Sequence, residues 1–189
     1  MPRRLSRKRR RSSTLPQQLE GDGRNSLGRA NAVSAAAAAD RSGFRQVIAG
    51  MWHDDPVVRM RAADAAEKAS SLRPTLLGPF KAELLSLMNE ARQQELRWHL
   101  CAMVPRLPLA PSERHTAAAA FRDYLNDRSS IVRTFALQAL YDLAQQEPSL
   151  RDEVVELLHA ALKSGTAAMK ARARKLLKQA EPTRLRVSG

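Results

Sequence analysis

The sequence predicts an all-α protein: a right-handed α-solenoid of about four helix pairs behind a disordered basic N-terminal arm. Three observations carry this expectation. Val47, Leu84, Phe121 and Leu158 recur at a constant interval of 37 residues, and Met51, Met88, Leu125 and Leu162 repeat that interval one helical turn later. A second set of phrases, VVRMRAADAA, ELRWHLCAMV, IVRTFALQAL and AMKARARKLL, carries Arg59, Arg97, Arg133 and Lys170 at spacings of 38, 36 and 37. Hydrophobic residues make up 43% of the chain and aromatics only 4%, so its core must be built from Ala, Leu, Val and Met, as closely stacked helices allow. A fixed period in this range marks supersecondary units that stack on their neighbours, and four units exceed the roughly three that such a stack needs.

Along the chain, residues 1–30 hold few large apolar side chains, many charges and three glycines (Gly21, Gly23, Gly28). Such a segment cannot bury enough surface to offset the entropy of ordering it. Its distinct element is the run from Arg7 to Arg11, in which Arg9, Arg10 and Arg11 are candidate contacts to phosphate or to an acidic partner. Residues 31–40 read as an Ala-rich linker or capping helix, 41–180 as the repeat domain and 181–189 as a basic tail. The first helix of each pair is expected at 43–53, 75–90, 111–126 and 148–164, and the second at 56–71, 93–104, 129–146 and 166–180. Asp54, Asp55 and Pro56 place proline at the first helical position behind an acidic cap. Pro105, Pro108 and Pro111 close the second pair, and Pro148 or Ser149 opens the fourth. Gly165 is expected to supply a residue tolerant of positive φ in the last turn.

The second helices share a five-position apolar register at i, i+4, i+7, i+8 and i+11. Val58, Ala62, Ala65, Ala66 and Ala69 align with Leu96, Leu100, Met103, Val104 and Leu107. Val132, Ala136, Ala139, Leu140 and Leu143 follow, then Met169, Ala173, Leu176, Leu177 and Ala180. All twenty positions are apolar, although Pro105 should end the helix before Leu107.

The net charge of +13 is unevenly spread. Residues 1–30 carry nine basic and two acidic residues, 31–164 carry sixteen of each, and 165–189 carry seven basic and one acidic. The excess therefore sits at the two ends and the middle is balanced, which argues against an acidic ligand wrapping the whole array. The single cysteine, Cys101, excludes an intramolecular disulfide and reads as a small core residue. No apolar run approaches the length of a transmembrane helix, and the basic start lacks the apolar stretch of a secretory signal. These features predict a cytoplasmic protein, or a nuclear one in a eukaryotic cell.

With its helix pairs, its period near 37, the Asp55 to Arg59 phrase DPVVR and a basic residue opening each second helix, the chain resembles HEAT repeats, close kin of the armadillo repeats. The resemblance covers roughly residues 40–180 and implies a stacked α-solenoid that binds or scaffolds other proteins. It also implies a ladder in which a turn Asp meets a second-helix Arg. That would match Asp127 with Arg133 and Asp54 or Asp55 with Arg59, with Ala91 and Gln93 in the second unit and Ser164 in the fourth departing from the pattern.

Catalytic patterns are weak. His53, His99, His115 and His159 share no repeat position and give no metal-ligand spacing. His99 and Cys101 lie about 200° apart around a helix, too far to act together as base and nucleophile. No cofactor is expected. The expectation is a non-enzymatic protein-binding or scaffolding module whose second helices line a concave face, offering Arg61, Trp98, Arg133 and Arg172 to a protein partner. The alternative is nucleic-acid association through the arm and the last helix, using Lys170, Arg174 and Lys178 at i, i+4 and i+8 with Arg184 and Arg186 in the tail. A third alternative is an enzyme of the HEAT-like alkylpurine DNA glycosylase type, in which Trp98 would stack on a base instead of covering a neighbouring helix.

Overall fold

The computed structural model describes residues 35, 37 and 39–184, with side chains through 180. The arm of residues 1–30, including Arg9, Arg10 and Arg11, and the tail residue Arg186 lie outside the described residues. Of the Ala-rich stretch, Ala35, Ala37 and Ala39 are helical, and Ala37 is wholly buried.

The described residues are all-α, with eight helices and no strand. They are α1 (Arg41–Gly50), α2 (Pro56–Leu72), α3 (Lys81–Glu90), α4 (Gln94–Met103), α5 (Pro111–Tyr124), α6 (Ser130–Gln146), α7 (Arg151–Ser164) and α8 (Ala167–Arg184). Short polar or proline signals start most of them. Asp40 accepts a bond from Gly43 N–H at 3.2 Å to cap α1, and Asp55 accepts from Val57 N–H at 2.8 Å to cap α2, with Pro56 at its first position. Glu113 reaches back to Ala110 N–H at 2.7 Å, tying the start of α5 to the proline link before it.

Two expected helix starts fall later in the chain. The helix expected over 75–90 begins only at Lys81, after 3-10 turns at Pro74–Leu76 and Gly78–Phe80, and the one expected from 148 begins at Arg151 after a turn at Pro148–Leu150. Pro79 lacks the N–H that an α-helix begun at 75 would need from its fifth residue, whereas Pro148 stands at the first position of its own turn, where no N–H is needed.

Packing follows the repeat. α2 packs on α4, α4 on α6 and α6 on α8, while α1, α5 and α7 each pack on the second helix of their own pair. Val47, Leu84, Phe121 and Leu158 are wholly buried, and Leu125 and Leu162 of the companion column are half-buried. In the second-helix register eighteen of the twenty positions are buried, the exceptions being Leu177 and Ala180 at the end of the array. Leu107 is buried despite the proline. The chain leaves α4 through a 3-10 turn at Val104–Arg106 and places Leu107 against the core in extended conformation.

Polar bonds between distant residues obey the same period. Arg59 to Gln93, Lys81 to Glu113, Arg106 to Glu67, Arg122 to Glu153, Gln146 to the Pro105 carbonyl and Arg172 to Gln138 span 31 to 41 residues. Tyr124 Oη donates to the Met88 carbonyl across 36 residues.

Gly165 corrects the sequence expectation. Its φ is −71°, an ordinary value, so positive φ is not why glycine stands there. A Cβ at this position would lie 2.4 Å from the Ala161 carbonyl oxygen and 2.9 Å from Met169 Cβ, so the residue is small because α7 and α8 approach closely. Gly165→Ala should lower stability by about 1–3 kcal/mol, since backbone must shift to admit the methyl group. Urea unfolding checks this, and an unchanged midpoint would mean the turn is not tightly packed.

Candidate functional site

The second helices carry the polar residues that the apolar register does not use. Position for position, Arg61, His99, Phe135 and Arg172 occupy one column, three residues after Val58, Leu96, Val132 and Met169. Arg59, Arg97, Arg133 and Lys170 occupy another, two residues earlier along each helix. The four residues expected to form one partner surface are therefore divided between columns.

Trp98 and Arg172 meet at Phe135. The Trp98 and Phe135 ring centroids are 5.3 Å apart, and the Arg172 guanidinium lies over Phe135 at 5.9 Å while donating to Gln138 Oε1 at 2.6 Å. This cluster joins α4, α6 and α8. Trp98 is half-buried and packed against the core, not a freely presented ring. Arg61 lies half-buried on α2. Arg133 points elsewhere, because its position is 140° to 200° around α6 from Gln138 and Phe135 at about 100° per residue.

Beside the Phe135 cluster lies an open groove of about 500 Å³, lined by residues of α2, α4, the turn after it and α6. Its charged members are Glu67, Arg106 and Asp142, and its amides are Gln138, Gln145 and Gln146. Arg106 donates to Glu67 Oε1 at 2.7 Å and to Ser70 Oγ at 3.1 Å, which fixes one wall. Gln138 donates to Asp142 Oδ1 at 2.8 Å, and Gln146 donates to the Pro105 carbonyl at 2.8 Å. Burial raises the Asp142 carboxyl above the usual range, against the hydrogen bond from Gln138 and the charges of Arg106 and Arg172. Gln145 is exposed. The groove thus offers amide donors and acceptors beside one aromatic face and a desolvated carboxyl.

Cys101 also borders this groove but is buried, and burial pushes its thiol well up, so it stays neutral. His99 is 1% exposed and covered by the Trp98 ring at 3.5 Å between centroids. Neither ring nitrogen has a hydrogen-bond partner among the described residues. Sequence reasoning did not single out this burial, and the column it shares with Arg61, Phe135 and Arg172 gives no signal of it.

The basic stripe of the last helix is present as geometry. Arg174, Lys175 and Lys178 are exposed on α8, and Lys170 is half-buried. The backbone of Arg184 closes the helix. Among the described residues no helix is long and apolar enough to cross a membrane. No family model matches this chain, and neither curated proteins nor solved structures give a match.

His99 gives the fold a pH dependence. Burial lowers its pKa from 6.5 to about 4, the charge of Asp64 opposing this and that of Lys68 adding to it. The unfolded chain takes up a proton at His99 near pH 6.5 while the folded chain resists until about pH 4. Stability from this residue is therefore full above pH 6.5 and is lost as the pH falls toward 4, a change of about 3 kcal/mol. Urea unfolding of wild type and His99→Leu between pH 7.5 and about 4 should show a steeper loss in wild type. Parallel curves would show that His99 is not buried neutral.

Proposed function

We propose that this protein is a non-enzymatic, HEAT-like α-solenoid that binds or scaffolds another protein along its second helices. The observation that carries this reading is the groove beside Phe135. It is built from three successive second helices and presents the exposed amide of Gln145 beside Gln138 and Gln146, whose amides are hydrogen-bonded within the fold. Side-chain amides satisfy main-chain N–H and C=O groups of either polarity, and the adjoining Phe135 and Trp98 rings supply apolar area, a combination suited to a polypeptide segment. Stacking of the second helices on one another supports the solenoid, and continuation of the same packing along the array supports a concave inner face.

A second reading is favoured by one observation of its own. Arg174, Lys175 and Lys178 lie exposed on a helix whose sequence from Ala167 to Ala180 contains no acid. Such a face attracts phosphates and loses them steeply with rising salt. The glycosylase alternative is the weakest, because Trp98 is engaged by Phe135 and His99 instead of standing free to stack on a base.

Affinity capture with the full-length protein, with and without nuclease, separates these readings when run beside Gln145→Arg, which places a charge in the groove from an exposed position. The expected result is a protein partner that survives nuclease and is retained at least about tenfold less by Gln145→Arg. Equal retention by the variant contradicts the groove, and loss of all captured material after nuclease supports the nucleic-acid reading.

A further inference from the structure

Arg59, Arg97 and Arg133 stand at the same place in successive second helices, and the first two are engaged through both Nε and Nη1. Arg59 donates through Nε to Gln93 Oε1 at 3.0 Å, one repeat onward, and through Nη1 to the carbonyls of His53 and Asp54 at 2.7 and 2.8 Å. Arg97 donates through Nε to the Ala91 carbonyl at 2.9 Å and through Nη1 to the carboxylate of Asp127, again one repeat onward. The ladder implied by the HEAT resemblance therefore runs from Arg59 and Arg97 to the following turn, and Asp127 serves Arg97 rather than Arg133.

Arg133 breaks the series. Its Nε is buried without a hydrogen-bond partner, and no ion pair among the described residues engages it. The following turn explains this: where the third pair has Asp127, the fourth has Ser164, Gly165 and Thr166. Ser164 Oγ donates back to the Ala160 carbonyl at 3.1 Å, and Gly165 is excluded from carrying a side chain by its contact with Ala161. A buried charged donor left unpaired is costly, and in the two preceding repeats the guanidinium meets sp² oxygens: Arg59 Nε has the side-chain oxygen of Gln93, while Arg97 Nε has the Ala91 carbonyl and its Nη1 the carboxylate of Asp127.

Arg133 lines a cavity of about 390 Å³ between the third and fourth pairs. No acidic side chain lines it. The other cation there, Arg122, is already held by Glu153 at 2.6 and 2.7 Å. Leu125, Leu137, Leu157 and Met169 make the remaining wall largely apolar. We propose that this cavity binds the carboxylate of an acidic residue presented by a partner polypeptide, with the Arg133 guanidinium completing the ladder through a group supplied from outside. The fork geometry of guanidinium matches a carboxylate, and the leucines suit the aliphatic stem of the acid and an apolar neighbour. The site is on the opposite side of α6 from the Gln145 groove, so either can fail without the other.

The test follows the Nε–Hε resonance of Arg133 in full-length, ¹⁵N-labelled protein at constant ionic strength. The probes are acetyl-Asp-Leu-amide, acetyl-Asn-Leu-amide and inorganic phosphate, with Arg133→Gln as the control variant. The expected result is a saturable shift with the Asp peptide at least about tenfold tighter than with the Asn peptide or phosphate, and loss of the peptide-induced shifts of neighbouring amides in Arg133→Gln. Equal affinity for the Asp and Asn peptides, no saturable shift at Arg133, or tighter binding of phosphate would each overturn the proposal. The wild-type comparison decides these outcomes without requiring the variant to fold.

Discussion

A helix pair of this period leaves part of its apolar surface uncovered, and the chain covers it by setting the next pair against it. That contact, α2 on α4, α4 on α6 and α6 on α8, is the constraint on which the other features depend. It requires apolar side chains at five places in every second helix, and the first and third repeats fill many of them with alanine: Ala62, Ala65, Ala66, Ala69, Ala136 and Ala139 are all wholly buried. Small side chains let helix axes approach closely, which is also why the turn at Gly165 admits no Cβ. The distant polar bonds then fall one period apart because neighbouring pairs are what each pair touches.

Close stacking has consequences for polar groups trapped along it. Arg97 is satisfied because its carbonyl partner lies in its own turn and its carboxylate partner in the next. His99 is held neutral because the Trp98 ring and the packed helices exclude water from it. Arg133 occupies the equivalent of a satisfied position but faces a turn that has lost its acid. The repeat is imperfect at two kinds of place: at amides projecting beyond the register and at a guanidinium whose neighbouring turn carries no acid.

Much of the fold was legible because buried apolar positions repeat in register. The columns through Val47 and Val58 identified the core, and Asp55 with Pro56 identified a helix start that the structure retains. The late start of α3 was legible in principle from Pro79, but the apolar spacing of Leu76, Leu77 and Phe80 hid it, since those side chains pack even from 3-10 turns. The candidate site was less legible. Whether Asp127 serves the arginine six residues after it or the one thirty residues before it depends on how neighbouring pairs are offset, which no single repeat encodes. The burial of His99 depends on a ring one residue away turning to cover it, and Phe135 was unmarked because its column mixes cations, an aromatic and a histidine.

The central claim, that stability is passed between neighbouring pairs, is tested most directly by native-state hydrogen exchange of the full-length protein. Pairs with neighbours on both sides should open last. The account predicts that the amides of Leu100 in α4 and Leu140 in α6 exchange with opening free energies above those of Ile48 in α1 and Leu176 in α8 by more than about 1 kcal/mol. One common value across all eight helices of the described residues, or greatest protection at α1 or α8, would contradict it.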